Sequence, residues 1–289
     1  MTMRLVLGAA SLALCLLSSL AQAQTDSLAQ FHRQLGKLPT QHVVHYLKSN
    51  LDGSVRQVQS LYFAGPLQLE VLKVENDGRY LGLVEARLDP QTLTESWMRS
   101  YNRLEQGIQP LQMALSSDPG QRRLVAAVAK AKLPVQVSHL PAHIYNFDLA
   151  GLNATLPLLK QPRADFQVGI VDPDFEFLRQ RFKPDGGEQL GGLVDKGVAT
   201  FKYLGDETLD DVAVHRYEVG GPAFAGKLGT LWVNAQDRLI QRIEHPVPDN
   251  PTWTSFRLDR MASRPMTRAE WKAFKVATIR RAQDLRERP

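Results

Sequence analysis

Polar and apolar residues alternate along two long stretches of the chain, and the alternation predicts strands more than helices. From His42 to Ser49 the pattern turns around Val43, His45 and Leu47. Val55 to Phe63, Leu67 to Val74 and Tyr80 to Leu88 continue it, and Thr92 to Arg99 adds a further crossing. Between them stand Asn50-Leu51-Asp52-Gly53, Gly65-Pro66 and Asn76-Asp77-Gly78. Asp-Gly supplies the positive backbone angles that a tight hairpin needs. Such a meander of antiparallel strands buries one face and wets the other. Residues 198–260 carry a second meander: Ala199–Gly205, Val212–Val219, a hairpin of Lys227–Asn234 with Leu239–His245, and Trp253–Asp259, with Asp206–Asp211 as a polar turn.

Helical spacing is rarer. Leu28, Phe31 and Leu35 make a short amphipathic segment that Pro39 ends. Leu124, Val125, Val128 and Ala129 fit one short helix over residues 122–132, and 134–158 reads as extended segments broken by Pro141, Gly151 and Pro157. Phe166–Val171 reads as a strand, 174–182 as a helical turn and 183–192 as a loop. A terminal helix over about 267–287 opens with Thr267 as N-cap and Glu270 three residues on, the capping-box spacing. Trp271, Phe274 and Ile279 lie on the face that docks it. The expected fold is α+β and mainly β: a large curved antiparallel sheet, an incomplete β-barrel, with covering helices and a C-terminal helix.

The start changes the setting. Arg4 precedes an apolar run from Leu5 to Leu20, and Ala21-Gln22-Ala23 offers the small residues a signal peptidase accepts. Residues 1–23 therefore read as a secretory signal peptide cleaved after Ala23, with a single domain from 24 to 289 in the periplasm. Cys15 is the only cysteine and leaves with the leader, which excludes disulfides, thiol chemistry and cysteine metal sites. The net charge is +5, much of the excess lying in the last helix. A basic excess can favour an acidic partner or an anionic membrane, and a solvated basic helix is the plainer explanation. No nucleic-acid motif is present, and export removes the chain from most nucleic acid.

Catalytic signatures are missing. There is no Gly-x-Ser-x-Gly elbow, no HExxH and no phosphate-cradling glycine loop. His42 and His45, three apart on a strand, point to opposite faces, and His139 and His143 flank Pro141 without an intervening acid. No metal site and no cofactor is expected. Asp172, Asp174 and Glu176 beside Arg179 and Arg181 could do acid–base work or hold calcium, though the EF-hand spacing is missing, and a polar loop of local ion pairs is the plainer reading.

Tyr203-Leu204-Gly205-Asp206-Glu207, then Val212 to Tyr217, then Gly229-Thr230-Leu231-Trp232-Val233 and Leu239 to Ile243 form a sequence of turns and strands. Over residues 198–260 this resembles the outer-membrane lipoprotein carrier (LolA/LolB-like) superfamily. The rhythm of residues 42–98 is similar to that of uncharacterised periplasmic proteins with related curved sheets. The resemblance implies a curved sheet whose hollow takes acyl chains or other apolar ligands. On that basis Leu61, Phe63, Leu69, Val71, Tyr217, Val219, Leu231 and Val233 are the expected lining, and a lipid, an acyl chain or a lipoprotein the expected ligand. An envelope assembly or scaffold protein, with an envelope protein as partner, and a nonstandard envelope hydrolase are the alternatives.

Overall fold

The computed structural model describes residues 27–75, 78, 80–104, 107–108, 113–118, 123–128, 131–174 and 193–286. The leader and the segments expected as a helical turn and a loop after Asp174 lie outside the described residues. In chain order the strands of the first half are β1 (His42–Ser49), β2 (Arg56–Gly65), β3 (Gln68–Glu75), β4 (Leu81–Leu88), β5 (Glu95–Leu104), β6 (Gly107–Ile108), β7 (Met113–Asp118), β8 (Arg123–Val128), β9 (Ala131–Gln136) and β10 (Ala142–Ile144). A short helix α1 (Ala150–Thr155) follows, then β11 (Phe166–Pro173), β12 (Leu193–Leu209), β13 (Val212–Gly220), β14 (Gly229–Asn234), β15 (Ile240–His245), β16 (Phe256–Pro265) and the terminal helix α2 (Arg268–Arg286).

Among the described residues these strands make one 16-stranded sheet in the order β10-β11-β12-β13-β14-β15-β16-β1-β2-β3-β4-β5-β7-β8-β9, with β6 beside β5. The two meanders join where β1 pairs antiparallel with β16, Val44 opposite Ser263. Every pairing is antiparallel except β10 with β11. The sheet curls until its ends meet without pairing as strands: β9 approaches β12, and β10 approaches β5. Two bonds across this seam hold it, from Ser138 N–H to Asp195 Oδ2 (2.7 Å) and from Ala142 N–H to Thr94 Oγ1 (2.8 Å). The result is an incomplete barrel, mainly β, with helices added.

Three sequence expectations change. Residues 122–132 do not form a helix; β8 and β9 occupy that stretch, paired to each other and to β7. Leu124 and Ala126 alternate inward, both buried, and a waiting strand edge outweighs an apolar spacing that also suited a helix. Within 134–158, residues 145–158 are not extended but turn through two 3₁₀ segments and α1. Asp206 to Leu209 belong to β12, and the reversal is tighter, at Asp210 and Asp211, both with positive φ.

Alternation sorts the side chains onto two sides. The inward face joins one core that includes Val44, Tyr46, Phe63, Val71, Phe201, Tyr217 and Leu231. The outward face of β1–β4 carries a second, smaller cluster, Val43, Tyr62, Leu72 and Leu81, on which α2 lies through Met266 and Trp271. Trp271 stacks on Tyr62 with centroids 4.9 Å apart and gives its indole N–H to Glu70. The capping box forms as its spacing predicts: Thr267 N–H donates to Glu270 Oε2 (2.6 Å) and Glu270 N–H to Thr267 Oγ1 (3.3 Å).

Candidate functional site: a plugged interior with a buried ionic latch

All eight residues expected to line a hollow stand on the inward face and are buried to 3% exposure or less. They share one continuous core with Ile144, Tyr145, Phe147, Leu149, Leu152, Leu156 and Leu158. Residues 145–159 therefore enter the barrel as a plug, and the concave face packs against the chain itself. Tyr145 meets Phe224 and Phe256 edge-on or tilted, at 5.2 and 5.4 Å. On the same side of the sheet, Phe166 stacks on Phe201 and meets Tyr217 edge-on.

Polar contacts fix the plug to the wall. Asn153 Oδ1 accepts from the Ile240 N–H (2.9 Å), tying α1 to β15, and the Tyr46 hydroxyl of β1 shares its one proton between Asn153 Oδ1 (3.1 Å) and the Ile240 carbonyl (3.0 Å). At the entrance to α1 the wall supplies charge. Lys48 of β1 reaches Asp148 at 2.6 Å and Asp249 at 2.5 Å, and Lys73 of β3 reaches the other Asp148 oxygen. Lys73 also donates to the Asn146 carbonyl at 3.2 Å. Asn146 bonds outward in turn, its N–H to Asp172 Oδ1 (3.0 Å) and its side-chain amide to the Asp249 carbonyl (3.0 Å). Trp253 covers the Lys48 ammonium at 4.6 Å. All five charged residues are buried.

Electrostatics divides the three carboxyls. Burial pushes Asp148 upward, but two facing ammonium groups outweigh it and hold the group far below the ordinary carboxylate range. Asp249 is also raised by burial; with only Lys48 against it and Asp148 beside it, it ends at about 7. Among the described residues Asp172 makes no ion pair, and burial carries it to about 8 despite the Asn146 N–H and the pull of Lys196 and Lys48. Burial alone would depress Lys48, yet Asp148 and Asp249 raise it above its usual value. At neutral pH Asp148 is thus ionised, Asp172 keeps its proton, and Asp249 stands near its midpoint. A buried charge is tolerable where a partner answers it, as Asp148 answers Lys48, and costly where none does.

Asp148 and the next residue, Leu149, both lie in the left-handed region, at φ 55° and 53°. A non-glycine residue there costs on the order of 1–2 kcal/mol. The latch on Asp148 opposes that strain at the point where the plug turns into α1.

A second buried pair lies at the other end of the plug. His143 Nδ1 stands 3.4 Å from Glu95 Oε2, with both residues at 0% exposure. The Thr155 hydroxyl donates to the Leu152 carbonyl, so His143 Nε2–H must be the donor in its 3.1 Å contact with Thr155. Nδ1 then faces the carboxyl at a distance that leaves both without a hydrogen bond. Threonine, histidine and glutamate stand in the order of a nucleophilic relay, but the threonine proton points away from the imidazole and the three are sealed in the core. Gly151 makes room: a Cβ there would fall 1.9 Å from Glu95 Oε1.

The remaining expected sites stand apart. His42 contacts Ser263 at 2.5 Å and His45 contacts Ser60 at 2.8 Å, each alone. Asp172 belongs to the latch cluster, while residues 176–181 lie outside the described residues. Two outer grooves, of about 320 and 370 Å³, share Gln30, Asp165 and Phe166, and Leu228 overhangs the first.

Sequence reasoning missed the latch. Its signal was present as lysines in phase with the apolar face: Val44, Tyr46, Lys48 on β1 and Leu69, Val71, Lys73 on β3. A charge at an inward position asks for a buried partner. The partners lie 100 and 201 residues away from Lys48, beyond the reach of any local pattern.

No protein-family profile matches the chain, and no curated protein matches it. Among solved structures, a beta-barrel-like protein of a domain of unknown function from Brucella abortus is similar at 10% identity, covering 78% of this chain and 97% of its own, with a TM-score of 0.39. A protein from Bacteroides fragilis, described as exported and with a YmcC-like fold, aligns at 12% identity over 78% and 97% of the two chains, with a TM-score of 0.26. A domain from Vibrio parahaemolyticus, described as an outer membrane lipoprotein-sorting protein, aligns at 10% identity over 87% and 96%, with a TM-score of 0.22. At scores of this size they are likenesses only.

Proposed function

We propose that the protein is a periplasmic carrier of an acyl chain or other apolar ligand, exported by its leader, whose resting state covers the binding face with residues 145–159. The ligand takes the place of the plug on the concave side chains Leu61, Phe63, Leu69, Val71, Tyr217, Val219, Leu231 and Val233. One observation carries this reading: the plug enters through two consecutive strained residues, Asp148 and Leu149, held by a buried latch. A core segment with no second state has no need of strain offset by buried charge, and strain of this kind is a pointer to a bistable element. The free-energy gain comes from apolar surface, at about 25 cal/mol per Å² removed from water. It is reduced by what opening the plug costs, because apparent affinity scales with the open fraction.

The test is titration of a fluorescent fatty-acid probe, competed by unlabelled acyl chains. Tyr46→Phe removes a hydroxyl that divides its one proton between the plug and the wall, at most about 1 kcal/mol of plug-to-wall bonding, so the probe should bind it up to about fivefold more tightly than wild type. Asp148→Asn, which loosens the latch itself, should move affinity the same way. Hydrogen exchange over residues 145–158 should speed up on binding. Saturable binding that neither variant alters, with exchange unchanged, would rule out plug displacement.

A further inference from the structure

We propose that the exposed face of α2 is a docking surface for anionic phospholipid bilayers. The helix lies on the outward side of β1–β4 and commits one face to the sheet through Trp271, Phe274 and Ile279. The opposite face is made of two rows at four-residue spacing, neighbours on a helix surface. One row reads Arg268, Lys272, Val276, Arg280, and the other Ala269, Ala273, Ala277, Arg281; all eight are exposed. Val276, at 56% exposure, sits in the middle of the first row.

A solvated helix ordinarily answers its cations with acids three or four residues away. This one has no acidic residue from Trp271 to Gln283. Lys275, at the edge of the docked face, pairs with Glu70 of β3 at 2.5 Å. Glu270 is taken up by the N-cap, and Asp284, four residues after Arg280 and three after Arg281, is the one acid spaced to answer the rows; among the described residues it forms no ion pair with either. Arg268 gives one hydrogen bond to the Ala64 carbonyl, a neutral partner that leaves its charge unanswered. The surface is thus a flat floor of alanines with one valine, bordered by four cations. That composition complements lipid headgroups carrying negative charge over a shallow apolar boundary. An acidic protein is the other class of partner, but the low, small-residue floor lacks the large anchors that protein interfaces use. Each cation near an anionic surface strengthens association about fivefold. Four give a weak, reversible contact that salt dissolves, since the Debye length shrinks to about 3 Å at 1 M.

The experiment is co-sedimentation of the mature protein with vesicles of phosphatidylcholine alone or with one quarter phosphatidylglycerol, at low and high salt. Binding is expected only with phosphatidylglycerol and only at low salt. Arg280→Gln with Arg281→Gln should weaken it about 30-fold, two factors of about fivefold, with an unchanged melting curve. Arg56→Gln with Arg163→Gln, which removes the same charge elsewhere, should leave it within a factor of two. Absence of binding, equal binding to neutral vesicles, or equal loss in both double variants would overturn the proposal. None of these outcomes depends on whether the barrel takes a ligand.

Discussion

Replacing Asp172 by asparagine is expected to stabilise the protein at neutral pH and to do little at pH 4 or below. In the unfolded chain the carboxyl ionises with an ordinary value of 3.8; in the folded protein burial carries it to about 8. Between those values the unfolded state has released a proton that the folded state keeps. Wild-type stability therefore falls as pH rises from about 4 to about 8 through this group. At pH 7 the difference spans roughly three units, and each unit is worth about 1.4 kcal/mol. The ceiling is about 4 kcal/mol, and relaxation of the buried site reduces it to about 2 kcal/mol. Asparagine carries no proton to lose and still offers an oxygen to the Asn146 N–H. Urea unfolding followed by tryptophan fluorescence at pH 4, 5, 6 and 7 should show the variant and wild type converging at pH 4 and separating steadily above it. A gap that stays constant with pH, or a variant less stable throughout, would refute this assignment of the buried proton.

Two further substitutions test the packing. Gly151→Ala drives a methyl group into the Glu95 carboxyl and towards His143 Nδ1, 2.7 Å away, in a sealed core. It should cost about 1–3 kcal/mol in urea unfolding; a loss under 0.5 kcal/mol would mean the pair yields freely. Trp271→Ala removes the ring that fills the seam between α2 and the outer sheet, leaving Tyr62 and Glu70 uncovered. The expected cost is about 3–5 kcal/mol, with proteolytic cleavage appearing first within residues 268–286, and resistance equal to wild type would contradict it.

Most of the sheet was legible because its information is local. Alternation marked β1 to β5 and β13 to β15, glycine-containing turns separated them, and the Thr267–Glu270 box marked the helix start. Parity along each strand also placed all eight concave side chains on one face. Legibility failed where two periods fit the same residues, as at Leu124, Val125 and Val128, where only the neighbouring edge decides. It failed again at residues 145–158, whose turns begin in left-handed residues without a glycine or a capping side chain. The latch was hidden for a different reason. Lys48 could be seen to point inward, but what it meets depends on where the plug and the 245–253 loop come to rest.

The most direct test of a displaceable plug is the fatty-acid titration carried out in parallel on wild type, Tyr46→Phe and Asp148→Asn, with hydrogen exchange read over residues 145–158. A carrier of this design binds the probe saturably, binds it more tightly in both variants, and loses protection in the plug as the site fills. No saturable binding in any of the three, or binding that leaves the plug as protected as before, would contradict it.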